Sequence, residues 1–217
     1  MSTIAILWRD ANYVAVDKPS GLAVHRGMCV EPITALELTR DLVGQWVYPV
    51  HRLDRATSGV LLFALSSAAA AALHSQFENG GVEKRYWALV RGVAPDEGKI
   101  DYAIPRSEGG PRVAALTTFR RVWSGAHVSL VEAYPRTGRF HQVRRHMKHI
   151  HHPLIGDANY GKGALNRTYR EEFGLARLAL HAASLTFEHP ETGVRITIDS
   201  VLPDDLRGPF ERIGVVI

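Results

Sequence analysis

The apolar residues of this chain fall into short stretches, the longest about the length of Val60–Leu65, and many of them alternate with polar ones. Alternation at period two suits a half-buried strand, whereas an amphipathic helix repeats near 3.6. The pattern predicts strands at Ile4–Trp8, Tyr13–Val16, Val47–Val50, Val60–Leu65, Tyr86–Val90, Leu185–Phe187 and Val194–Ile198. Val113–Val122 and Val128–Ala133 read as a hairpin around Ser124-Gly125-Ala126. Helices are predicted over Thr34–Val43, from Ser66 or Ser67 to Glu78 before Asn79-Gly80-Gly81, and over Asp204–Arg212. A further helix starts at Phe140, where Phe140, Val143, Met147 and Ile150 share one face. Strands broken by a few helices, without regular alternation, imply an α+β fold with a mixed, mainly antiparallel sheet. The 217 residues show no repeat, linker or low-complexity run, so one domain spanning 1–217 is expected.

The same shortness leaves nothing near the roughly 18–20 apolar residues that span a bilayer. One cysteine, Cys29, rules out an internal disulfide framework. The apolar part of the N-terminus is too short for a signal peptide and lacks a basic lead, so a cytoplasmic location is expected. Lys and Arg number 26 against 22 Asp and Glu, a net charge of +4. Where the excess lies matters more than its size. Between Glu132 and Asp157 there is no acidic residue, while Arg136, Arg139, Arg144, Arg145, Lys148 and five histidines fall in that window. That is the footprint of a polyanion-binding face, or of a basic helix facing only solvent.

Four segments carry more functional groups than a core requires. Lys18-Pro19-Ser20-Gly21 is a turn after a strand. His51-Arg52-Leu53-Asp54-Arg55-Ala56-Thr57-Ser58-Gly59 sets one carboxylate between two guanidinium groups, fit for a nucleophile or base, or for a structural ion pair. The strand Lys84–Gly92 offers Tyr86 beside cations, suited to a base and phosphates or to plain packing. In Thr137–His146, Arg144 borders the apolar helix face and can meet a buried carboxylate bidentately, with Arg145 and Lys148 pointing outward. Gly156–Gly163 imitates a phosphate-binding loop, but Gly163 stands where a Mg²⁺-ligating Ser or Thr belongs. The histidines between His141 and His152 lack a His-Glu-x-x-His pattern and a carboxylate ligand, so neither metal nor cofactor is expected.

Together and in this order, the segments resemble the RluA family of pseudouridine synthases. The shared motifs are Lys18–Gly21, His51–Gly59, Lys84–Tyr86, Gly138–His146, Pro153–Asp157 with Tyr160-Gly161, and Leu180-His181-Ala182. The resemblance implies the pseudouridine synthase catalytic domain with a central RNA-binding cleft. It implies Asp54 as the essential aspartate, Arg144 as its ion-pair partner and Tyr86 as the aromatic beside the target base. By the same resemblance Arg52 helps displace that base and Leu180 lines the pocket. Arg136, Arg139, Arg145 and Lys148 are candidate phosphate contacts, since folded RNA is gripped by backbone and shape. No room is expected before Ile4 for the S4-like domain of some ribosomal RNA members. Val14–Gly21, Arg55, Leu61-Leu62, Asn166-Arg167 and Phe173-Gly174-Leu175 are similar to the subgroup called TruC, which implies tRNA and its T-stem/acceptor junction as target. A monomer with no membrane and no obligate protein partner is expected. The alternatives are ribosomal RNA as substrate, an RNA-binding module without catalysis, and a metal-dependent hydrolase built on the histidines.

Overall fold

The computed structural model describes residues 3–26, 32–107 and 109–216; Cys29 lies outside them. In order, the chain forms β1 (Ala5–Arg9), β2 (Tyr13–Lys18), α1 (Ala35–Val43), β3 (Tyr48–Pro49), β4 (Ser58–Ala64), α2 (Ser67–Glu78) and β5 (Glu83–Arg91). There follow β6 (Glu97–Asp101), β7 (Ile104–Pro105), β8 (Arg112–Val113), β9 (Leu116–Ser124), β10 (Val128–Pro135), α3 (Gln142–His149) and α4 (Gly163–Phe173). The last elements are β11 (Leu180–Glu188), β12 (Arg195–Asp199) and α5 (Asp204–Ile213). The fold is α+β with mostly antiparallel strands, as the apolar pattern requires. It divides into two compact units, Met1–Glu83 with Ala182–Val201, and Lys84–His181 with Leu202–Ile217.

In the first unit β4 is buried along its whole length. It lies between β2, antiparallel with Val16 opposite Leu61 and Lys18 opposite Gly59, and β11. Burial on both faces explains why Val60–Leu65 does not alternate. Tyr13, Leu62, Leu73, Leu185, Phe187 and Ile198 belong to the core behind it. The helices start where the sequence places their caps. Thr34 and Glu37 form a reciprocal capping box, and the Ser66 hydroxyl accepts from Ala69 N.

In the second unit β10 pairs antiparallel with both β5 and β9, and β6 pairs with β9. Leu89, Leu130, Ile155, Tyr169, Leu206 and Phe210 make its core. Three local expectations are corrected here. Arg112 and Val113 pair with β7 rather than continuing the β9 hairpin. The helix expected from Phe140 begins at Gln142, because His141 adopts the left-handed conformation (φ 53°) and places Phe140 outside it. Residues 163–173 form α4, for which no helix was expected; Leu165, Tyr169 and Phe173 turn inward at four-residue spacing. Among the described residues no helix is long and apolar enough to cross a membrane.

A tight backbone approach in the first unit is at Gly59. Its φ is +113°, and a Cβ there would lie 2.2 Å from the carbonyl oxygen of Ala182. Neither strand can yield without breaking the ladder. Gly59→Ala should therefore cost about 3 kcal/mol and lower Tm by about 6–12 °C in a thermal melt; a Tm within about 2 °C of wild type would contradict this packing.

Candidate active site

The carboxylate-bearing segment 51–59 connects β3 to β4, and its course is fixed by a buried lysine. Lys18, at the end of β2, is fully buried. Its Nζ donates to the carbonyls of Pro19 (2.9 Å), Leu22 (2.7 Å) and Arg55 (3.1 Å). An ammonium can leave water only where such acceptors converge. The turn and the segment are laced further. Gly21 N donates to Arg55 O (2.8 Å), Arg55 Nε to Gly21 O (2.9 Å) and Ser20 Oγ to Ala56 O (2.8 Å). His51 Nε2 accepts from Leu62 N (2.9 Å), and Thr57 N donates to Asp54 O (3.0 Å). Asp54 is thus held half-buried on a tight turn, Arg52 is exposed, and the Thr57 hydroxyl is buried without a hydrogen-bond partner.

In the second unit Gln142 organises the approach to α3. Its Oε1 accepts from Thr137 Oγ1 (2.6 Å) and Arg139 N (3.0 Å), while its Nε2 donates to Leu116 O (2.9 Å) and Thr117 Oγ1 (3.0 Å). Two residues on, Arg144 is buried against Asp157. Its Nε and Nη2 donate to the two carboxylate oxygens at 2.8 and 2.9 Å. Asp157 also accepts from Asn159 N (2.9 Å) and Tyr160 N (3.0 Å). Burial pushes the Asp157 carboxyl up, but the Arg144 guanidinium and these backbone N–H groups outweigh it and hold the group below its ordinary value. The carboxylate that meets the Arg144 fork here is that of Asp157, in the Gly156-Asp157 turn.

Tyr86 sits on β5 opposite Ala133, half-buried, and Leu180 opens β11, buried. Arg136 and Lys148 are exposed, and Arg139 and Arg145 are half-buried. Arg139 Nε donates to Ala114 O (3.3 Å). Lys84 Nζ donates to Thr137 O (3.2 Å); burial first, then Arg139 and Arg136, lower its pKa to about 8. Arg144, Arg145 and Lys148 gather around Tyr160, a residue the sequence named only as part of a motif. Asp54 and Arg52 belong to the first unit; Tyr86, Arg144, Leu180 and the other cations belong to the second.

Four of the five histidines between His141 and His152 make contacts within the protein. His146 Nε2 donates to Tyr102 O (2.9 Å), so Nδ1 (2.9 Å) accepts the Thr117 hydroxyl, and burial lowers its pKa. His152 Nδ1 lies 2.8 Å from Arg91 O, His141 Nδ1 lies 3.0 Å from Tyr160 Oη, and His149 stacks on Tyr102. Among the described residues no group of three His, Cys, Asp or Glu is placed to hold a metal ion.

A carboxylate on a fixed turn, an aromatic strand and an acid-free basic segment are the parts the motifs promised. Residues 12–149 match the family model described as RNA pseudouridylate synthase, and the chain belongs to that family; it is an isomerase that acts on RNA. It is 41% identical to a protein of Haemophilus ducreyi called tRNA pseudouridine synthase C, covering 96% of this chain and 95% of that one. It is 42% identical to a Pasteurella multocida protein of the same name, covering 90% of each. Its fold is similar to the structure titled Human RNA Pseudouridylate Synthase Domain Containing 4, with a TM-score of 0.81 and 26% identity over 98% of this chain and 94% of that one.

Removing the Lys18 ammonium takes the donor from three carbonyls, that of Leu22 buried and those of Pro19 and Arg55 part-buried. Lys18→Met should destabilise the protein by about 3 kcal/mol or more, read as a fall in the urea midpoint. Asp157→Asn should cost about 3–5 kcal/mol at neutral pH, because Arg144 then stays buried beside a neutral amide. The folded pKa of Asp157 lies below its unfolded value. Its contribution is therefore complete above the unfolded pKa of about 3.9 and is lost as pH falls through the folded one. Urea titrations of both proteins should show their stability gap closing below about pH 4; a gap independent of pH would refute the assignment.

Proposed function

We propose that this enzyme isomerises one uridine of tRNA, at the T-stem/acceptor junction, to pseudouridine. In this reading Asp54 is the catalytic carboxylate, Arg144 its ion-pair partner, and Tyr86 lies beside the target base. Leu180 lines the pocket, Arg52 helps displace the base, and Arg136, Arg139, Arg145 and Lys148 contact phosphates. In the same reading residues 1–217 are a single catalytic domain with an RNA-binding cleft, acting as a monomer in the cytoplasm without metal or cofactor. The observation that carries the reading is the Lys18 clamp, which fixes the turn bearing Asp54 far more firmly than a solvated loop requires. The substrate rests on the relatives called tRNA pseudouridine synthase C, similar over nearly the whole chain.

The reaction breaks N1–C1′, turns the uracil and joins C5 to C1′; the C5 proton leaves and N1 regains one, so no redox partner or hydrolysis is needed. A single carboxylate suffices. It can add covalently to the nucleoside, or abstract a ribose proton to give a glycal that the turned base re-enters. The base must first leave its stack, at a cost of a few kcal/mol, and a long cation such as Arg52 suits bracing the gap.

Tritium release from tRNA labelled at C5 of uridine tests the chemistry. Asp54→Asn should fold normally, bind tRNA and keep less than about a tenth of the wild-type rate; a higher rate would remove Asp54 from the mechanism. Wild-type protein should convert one uridine in the T-stem/acceptor region of an unmodified transcript. Conversion of a ribosomal RNA fragment with tRNA untouched would overturn the substrate and leave the reaction standing.

A further inference from the structure

One aromatic ring in the second unit collects three cations. The charged groups of Arg144, Arg145 and Lys148 lie 5.0, 5.1 and 5.6 Å from the centre of the Tyr160 ring. Arg144 is matched by Asp157, but among the described residues neither Arg145 nor Lys148 makes a salt bridge. The Arg145 guanidinium also lies 5.5 Å from the Phe140 ring, so two aromatics hold it. Its Nε is buried and has no hydrogen-bond partner, although a buried guanidinium nitrogen ordinarily finds one. Lys148, one helical turn from Arg144 and Arg145, is exposed.

The ring itself is held at two points. Tyr160 N donates to Asp157, and Tyr160 Oη lies 3.0 Å from Nδ1 of His141, the residue in the left-handed conformation at the start of α3. A fixed ring whose negative face holds cations assembles charges that otherwise repel. Three cations gathered beside one carboxylate, Asp157, which the Arg144 fork already engages, leave positive charge in excess, and with Lys148 exposed that excess is a place for an anion; a guanidinium fork fits phosphate oxygens.

We propose that Arg145 and Lys148, carried on the Tyr160 ring, seat one backbone phosphate of the RNA, with Tyr160 as the positioning residue that keeps both cations in place. This rests on the RNA-substrate reading above and narrows it to one pair of contacts and their support.

The test is binding of unmodified tRNA to the full-length protein across about 50–300 mM salt, read as the slope of log K against log salt. Arg145→Gln and Lys148→Gln should each reduce the slope by about 0.7–0.9 and weaken binding about tenfold. Tyr160→Leu keeps every charge but removes the platform, so it should also reduce the slope by about one contact, which a change in net charge cannot explain. Tyr160→Phe keeps the ring and should retain the wild-type slope. Unaltered slopes in the glutamine variants, which leave the turn intact, would overturn the seat while leaving RNA binding in place. An unaltered slope in Tyr160→Leu would overturn the positioning role. Wild-type protein that fails to bind tRNA would overturn the substrate reading and the seat together.

Discussion

A guanidinium and a carboxylate taken out of water together govern the geometry of the second unit. The Arg144–Asp157 pair adds little net stability, because desolvating two ions offsets most of their attraction. What it supplies is direction. Two parallel N–H···O bonds fix the plane of the guanidinium and with it the rotation of α3 against the 156–161 turn. The same carboxylate draws in the N–H groups of Asn159 and Tyr160, so the turn closes around the pair and the tyrosine ring is aimed at the helix. A neutral contact of equal size would permit sliding; this one does not.

The first unit solves a similar problem with dipoles. Lys18 brings a charge into the interior and spends it on backbone carbonyls from the turn that follows it and from the segment bearing Asp54. Both devices tie a loop to a rigid element by something stronger than packing. Reactive groups on loops need such support, since a loop held by water alone samples many positions.

Much of this was readable in the residues, and what was not has physical reasons. Thr34, Ser66 and the apolar β4 announce themselves because capping and burial are local or periodic effects. Asp54 stood out through the density of functional groups around it. Lys18 read as turn punctuation, since convergence of three carbonyls on one ammonium depends on chain segments far apart in sequence. Asp157 is masked in the sequence by the imitation phosphate loop that contains it. The α4 helix carried a real signal in Leu165, Tyr169 and Phe173, obscured by the Gly and polar residues at its start. The β6 strand buries only Ile100, so no alternation marks it; its pairing with β9 makes it a strand.

The chain passes between its two units at residues 83, 181 and 201, and the core of each needs residues from late in the sequence. Tyr13 and Leu62 share a cluster with Phe187 and Ile198, and Leu89 shares one with Leu206 and Phe210. During vectorial synthesis neither core can close until nearly the whole polypeptide has left the ribosome, so the early strands emerge with apolar faces that have no partner yet. Such nascent chains fold slowly and depend on holding factors in the meantime. The arrangement also means that a translation product interrupted in its last few dozen residues has no half that is already complete.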